Sequence, residues 1–290
     1  MLDYQAVKSW AFPVVERAYT ADDTMFYALA VGVGADPVDE RQLRFVNDTA
    51  GTPLALPTMA VVLGWPGSWM SDTATGIDFS KIVHGEETVE WDRPIPASGT
   101  VVSRHRVTHV VDKGAGRGAT VTYVKELTDK VSGERLATVT HTTFGRGDGG
   151  FSANGGKSDA PPTPLAKVPD RTPDKVVEMP TLPQQALIYR LCADRNPLHS
   201  EPAVARKAGF PQPILHGLGT YGVACHAMLA TLCDYDPARL ARLSVRFSAP
   251  VYPGETIRFE IYDEGSEFAF RARIAARDKV VLDYGRVALR

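Results

Sequence analysis

The alternation of apolar and polar positions is clearest in the second half of the chain. Phe268-Ala269-Phe270-Arg271-Ala272-Arg273-Ile274 reads as a half-buried antiparallel strand, with every second side chain turned to one face. Further β-rich runs cover 244–247, 256–262 and 280–288, and Pro253-Gly254-Glu255 is a turn between two of them. In the first half, 100–110, 120–127 and 135–144 play these parts, with 112–118 as a turn. Residues 218–232 follow another pattern, being apolar on nearly every side. A helix of that kind needs to be enclosed.

The two halves echo one another. Met25-Phe26-Tyr27-Ala28-Leu29 aligns with Leu187-Ile188-Tyr189-Arg190-Leu191 at an offset of 162. Leu56-Pro57-Thr58-Met59-Ala60 aligns with Leu215-His216-Gly217-Leu218-Gly219 at 159, and Pro94-Ile95 with Pro250-Val251 at 156. Three weak matches in one order point to a duplicated fold. Each half has an early helix, a loop, an apolar helix and then strands. The first-half apolar helix begins near Thr58 and should end at Pro66, since proline breaks a helix. A sheet curled around one central helix satisfies each half. The predicted fold class is therefore α+β, a double hot-dog of two tandem repeats, each an antiparallel sheet wrapped around a central helix. The repeats occupy 1–148 and 177–290. A Gly- and Pro-rich linker, 149–176, joins them and should be extended and solvated.

Composition narrows the partners. The chain of 290 residues is 44% hydrophobic and 23% charged, as an ordinary globular protein is. With 32 Lys and Arg against 34 Asp and Glu, its net charge of -2 argues against nucleic acid or an anionic membrane. A small polyanion needs only a few local cations and stays possible. The three cysteines form no CxxC pair, so neither a disulfide framework nor a zinc site is indicated. The apolar stretch 218–233 is too short and too polar to span a bilayer. The N-terminal residues lack the pattern of a signal peptide, and the cytoplasm is the expected location.

Chemistry concentrates in Asp194-Arg195-Asn196-Pro197-Leu198-His199, followed by Pro213-Ile214-Leu215-His216-Gly217. Pro197 stops the helix that precedes Asp194, which leaves His199 in a loop free to fold back. A carboxylate and an imidazole converging on one water can take one proton and deliver another. Asn196 can orient a group or the water by hydrogen bonding. Gly217 opens the buried helix, where unpaired N–H groups can receive a developing oxyanion. Taken singly, an Asp is a cap, a His is structural and a Gly starts a helix. The combination at this spacing is what carries the reading.

The stretch from Tyr189 to Tyr221 resembles the MaoC-like (R)-specific enoyl-CoA hydratases, or hydratase 2, of the double hot-dog type. The family's Ser-Gly before the aspartate is Cys192-Ala193 here. The resemblance implies that Asp194 and His199 are the catalytic pair, Asn196 their support and Gly217 the oxyanion donor. It implies substrate or CoA contacts at His84, Gly85, Lys113, Pro197, Leu198, His216 and Phe247. The expected reaction hydrates trans-2-enoyl-CoA to (3R)-3-hydroxyacyl-CoA, with no metal and no cofactor beyond the coenzyme A of the substrate. Gly32 and Pro57-Thr58 stand where the second half has Asp194 and His216-Gly217. The first half should therefore lack the pair and make room for the acyl chain. A homodimer is expected. The rival readings are a dehydratase acting on acyl carrier protein and, from another class, a non-catalytic acyl-CoA-binding protein.

Overall fold

The computed structural model describes residues 1–192 and 194–290. The strands in chain order are β1 (Val15–Tyr19), β2 (Ile82–Trp91), β3 (Gly99–Asp112), β4 (Ala119–Asp129) and β5 (Arg135–Gly145). They continue as β6 (Lys175–Pro180), β7 (Leu240–Phe247), β8 (Thr256–Asp263), β9 (Phe268–Ile274) and β10 (Lys279–Leu289). All ten form one antiparallel sheet in the order β1-β3-β4-β5-β2-β7-β10-β9-β8-β6. From the middle outward, β2-β5-β4-β3-β1 and β7-β10-β9-β8-β6 repeat one connectivity. β2 and β7 meet at a seam where Thr88 faces Ser244. These two lie 156 apart, the offset that separates Pro94 from Pro250. The molecule is a double hot-dog.

The helices are α1 (Tyr4–Lys8), α2 (Ala21–Ala30), α3 (Glu40–Leu43), α4 (Gln185–Cys192), α5 (Pro202–Lys207) and α6 (Gly217–Leu232). α6 is the enclosed helix, with every residue from 219 to 229 buried. It also ties the halves together. A Cβ on Gly222 would lie 2.5 Å from Val31 Cγ1 and 3.2 Å from Tyr27 Oη, so only glycine lets α6 approach the end of α2 this closely. No helix among the described residues is long and apolar enough to cross a membrane.

The first half departs from its partner at the central helix. The predicted two turns to Pro66 shrink to a 3-10 turn, Pro57–Val61. The Lys125 ammonium, on the inner face of β4, donates to the carbonyls of Ala60, Val61 and Leu63 at 2.7, 2.9 and 2.9 Å. A cation suits the carbonyl end of a helical turn, and its bonds occupy groups that a longer helix would use. Aromatic side chains cluster in the same half. Phe12 meets Trp69 edge-on at 5.0 Å, and Trp69 meets Tyr123 at 5.8 Å.

The segment after β5 is held rather than loose. The Asp112 carboxylate accepts from the N–H groups of Gly150 and Ser152. Asp159 accepts from Tyr4 Oη at 2.8 Å, Lys8 Nζ at 2.7 Å and the Val110 N–H at 2.8 Å. The Arg286 guanidinium donates to the Lys167 carbonyl at 2.6 Å. Glycine and proline exclude regular structure from much of this segment, and side chains from both halves fix its course.

Candidate active site

Asp194 and His199 come together because the chain turns sharply between them. Pro197 opens a 3-10 turn, Pro197–His199, for which Asn196 is the N-cap. Its Oδ1 accepts from the Leu198 N–H at 3.0 Å, while its own N–H donates to Asp194 Oδ1 at 2.9 Å. Asn196 thus supports the loop through its backbone as well as its side chain. Asp194 and Leu198 are half-buried, and Asn196 and Pro197 are exposed. Ala193, one of the two residues that depart from the family's Ser-Gly, lies outside the described residues.

His199 is 7% exposed, and its Nδ1 lies 2.9 Å from the carbonyl of Ile214. A carbonyl only accepts, so Nδ1 carries the proton and Nε2 keeps its lone pair. Burial pushes this imidazole below its usual titration range, opposed by the Ile214 bond and by the Asp194 charge. At neutral pH His199 is therefore a neutral base. One carboxylate oxygen of Asp194 and one ring nitrogen each of His199 and His216 lie within 4.8 Å of one another. A water donating both its hydrogens spans acceptors about 4.4 Å apart, which falls within that limit.

Two imidazoles and a carboxylate can also ligate a metal. Here the His199 and His216 rings stack at 3.7 Å with 28° between their planes. Their lone pairs lie in these two nearly parallel planes, which is a poor arrangement for closing on one ion.

Gly217 is the first residue of α6, so its N–H has no partner within the helix. A Cβ here would stand 3.5 Å from Phe247 Cε1 and 3.6 Å from His84 Cγ, filling the gap between the two rings. His84 and Phe247 meet edge-on, with centroids 5.7 Å apart. Burial pushes the His84 imidazole well below its usual range, with His141 contributing, so it too is neutral. Phe247 ends β7. His84 and Gly85 lie within β2, at a bulge between His84 and Glu86. The bulge shifts the alternation, so that His84 faces inward although Glu87, Val89 and Trp91 do so at odd positions. A Cβ on Gly85 would stand 3.0 Å from the Thr142 carbonyl, so Gly85 shapes the strand here.

Lys113 is exposed in the turn between β3 and β4. That turn lies on the sheet rim shared by the start of β2 and the end of β7, through the pairings Ala119–Gly145 and Ile82–Gly145. β4 is two strands from β2, roughly 10 Å, so the turn flanks the site rather than entering it.

Sequence reasoning misses a second carboxylate–imidazole pair. Glu87, 1% exposed, bonds His141 Nδ1 at 2.5 Å. The His141 ring meets His84 edge-to-face at 4.7 Å. The signal available was a glutamate in line with the inward positions of Val89 and Trp91.

Comparisons with known proteins show the family. Residues 164–283 match the MaoC like domain model, and residues 18–147 match the MFE-2 hydratase 2 N-terminal domain model. The chain is 38% identical to an enoyl-CoA hydratase of Mycobacterium tuberculosis, over 97% of this chain and 96% of that protein. It is 36% identical to the peroxisomal enoyl-CoA hydratase 2 of Arabidopsis thaliana, over 93% of this chain and 90% of that one. A crystal structure of a MaoC-like dehydratase from Phytophthora capsici superposes with a TM-score of 0.84 at 31% identity, covering 100% of this chain and 99% of that one. The chain therefore belongs to the MaoC-like enoyl-CoA hydratase 2 family.

Proposed function

We propose that the protein hydrates trans-2-enoyl-CoA to (3R)-3-hydroxyacyl-CoA and catalyses the reverse dehydration. The observation that carries the reading is the shared reach of the Asp194 carboxylate and the His199 imidazole, with Gly217 opening α6 directly after His216. A water held between the pair loses one proton to His199 Nε2 as its oxygen bonds C3 of the enoyl group. The electron pair of the double bond moves toward the thioester carbonyl, whose oxygen gains charge beside the Gly217 N–H. Asp194 orients the second hydrogen of the water. The proton on His199 then passes to C2, so both ends of the water add and the base is regenerated. A fixed N–H donor of the Gly217 kind stabilises such a transition state by about 3–4 kcal/mol.

Hydration changes no overall oxidation state, and the proposal includes no metal or redox cofactor. Dialysis against a chelator should leave the rate unchanged. The acyl tail is placed past His84 and Phe247 toward the first half. Lys113 is assigned to a CoA phosphate. The proposed compartment is the cytoplasm, in keeping with three free cysteines; peroxisomal targeting of the native protein in a cell would displace that assignment. A homodimer completes the proposal, and a monomer mass by light scattering would remove it.

The direct test is conversion of crotonyl-CoA and longer trans-2-enoyl-CoA esters, with chiral analysis of the product. An (S) product would reject the stereochemistry. Faster turnover of carrier-protein thioesters than of CoA esters would favour the dehydratase of fatty-acid synthesis.

A further inference from the structure

His216 was expected among the substrate contacts, yet protein groups occupy its ring. The residue is 2% exposed and is the N-cap of α6. Its carbonyl accepts from the Thr220 N–H at 2.9 Å, which fixes its backbone to the first turn of the most enclosed helix. Its Nε2 lies 2.8 Å from the carbonyl oxygen of Asp194. One face stacks on His199 at 3.7 Å, and the ring of Tyr189, itself fully buried, lies 4.8 Å away.

Building on the hydratase reading above, we propose that His216 is a positioning residue that holds both members of the catalytic pair at once. It does so through one hydrogen bond and one ring stack. The loop is tied to Ile214 at its His199 end, while Arg195, Asn196 and Pro197 on the Asp194 side are all exposed. Its internal bonds keep its shape but do not moor it to the core. The His216 imidazole supplies that mooring, because a carbonyl partner requires Nε2 to be the protonated nitrogen. The same ring sets the plane in which His199 presents its lone pair. Burial pushes His216 down to about 3, so it stays a neutral donor and places no cation against the base. Its Nδ1 is buried and, among the described residues, has no hydrogen-bond partner. One short segment thus sets the whole site. Ile214 fixes the His199 tautomer, His216 moors both catalytic groups and Gly217 offers the oxyanion donor.

Three substitutions separate the two interactions. His216→Gln keeps a donor near the Nε2 position, His216→Phe keeps the stack, and His216→Leu keeps neither. With crotonyl-CoA, the Phe and Leu variants should lose roughly tenfold to hundredfold in kcat, the scale of a misplaced catalytic group. KM should change little, and Gln should recover most of what Phe loses. Circular dichroism establishes that each variant is folded. In the wild-type protein, imidazole 15N spectra at neutral pH should show His216 protonated at Nε2 and bare at Nδ1. A raised KM with kcat intact would return His216 to the substrate contacts and overturn the proposal. So would a Gln variant no better than Leu, or an Nδ1–H tautomer. A wild-type protein inactive on every enoyl-CoA would instead defeat the hydratase reading, and the spectra would still decide whether the mooring exists.

Discussion

Lowering the pH from about 7.5 to about 5 should cost this protein much of its stability, chiefly through buried histidines. Burial pushes His216 down to about 3, and His226 and His105 to about 4. Each folded value lies below the ordinary 6.5 of an unfolded chain. The sign follows from proton counting. Below 6.5 the unfolded chain takes up protons that the folded rings refuse, so stability is full above 6.5 and is lost as pH falls. At about pH 5 the difference is ~2 kcal/mol for each of His216 and His226. His105 is less enclosed and is discounted to ~1 kcal/mol for solvent screening. The sum, roughly 5 kcal/mol, compares with a typical total of about 5–15 kcal/mol. His84 and His199 shift in the same direction and add to it. Urea unfolding followed by tryptophan fluorescence at both pH values measures the loss. His226→Gln, which removes one such ring from beside Tyr235 Oη, should shrink the pH difference by ~2 kcal/mol. Equal urea midpoints at both pH values, with equal slopes, would refute the reasoning.

Other expectations concern chemistry and packing. Asp194→Asn and His199→Ala should each lower kcat by roughly 10²–10⁴ with little change in thermal stability; near-full activity in either would remove that residue from the pair. Lys113→Ala should raise KM for CoA esters and spare kcat, with a smaller effect on a pantetheine thioester. Equal losses on both would move Lys113 off the nucleotide. Gly222→Ala should destabilise by ~1–3 kcal/mol, since its methyl would collide with Val31. An unchanged urea midpoint would mean that α2 and α6 can separate freely.

What the sequence revealed was local in the chain. Asp194, Asn196 and His199 lie within six positions, and Pro197 dictates the turn that brings them together. The enclosed helix announced itself by being apolar on all sides. The missed features depend on pairing across distance. Glu87 and His141 are cross-strand partners of β2 and β5, and nothing near either residue names the other. The start of β2 was hidden by the bulge at Gly85, which breaks the alternation a strand is recognised by. β1 and β6 are edge strands, and β6 is largely exposed, so neither shows a clean apolar face. Lys125 sits at an inward position, but its three acceptors come from more than sixty residues earlier.

The seam between β2 and β7 bears on ancestry. Equivalent strands that pair antiparallel about equivalent residues, as Thr88 and Ser244 do, are what a two-fold axis produces. The chain thus keeps, inside one polypeptide, the contact surface of a symmetric pair. Two separate identical copies are bound to the same sequence, so any residue good for catalysis in one is imposed on the other. Covalent joining lifts that bond. One copy has kept Asp194 and His216, while the other carries Gly32 and Pro57 in their stead and has traded its central helix for a lysine-capped turn. Asymmetry in a single chain is a freedom that a dimer of identical subunits does not have.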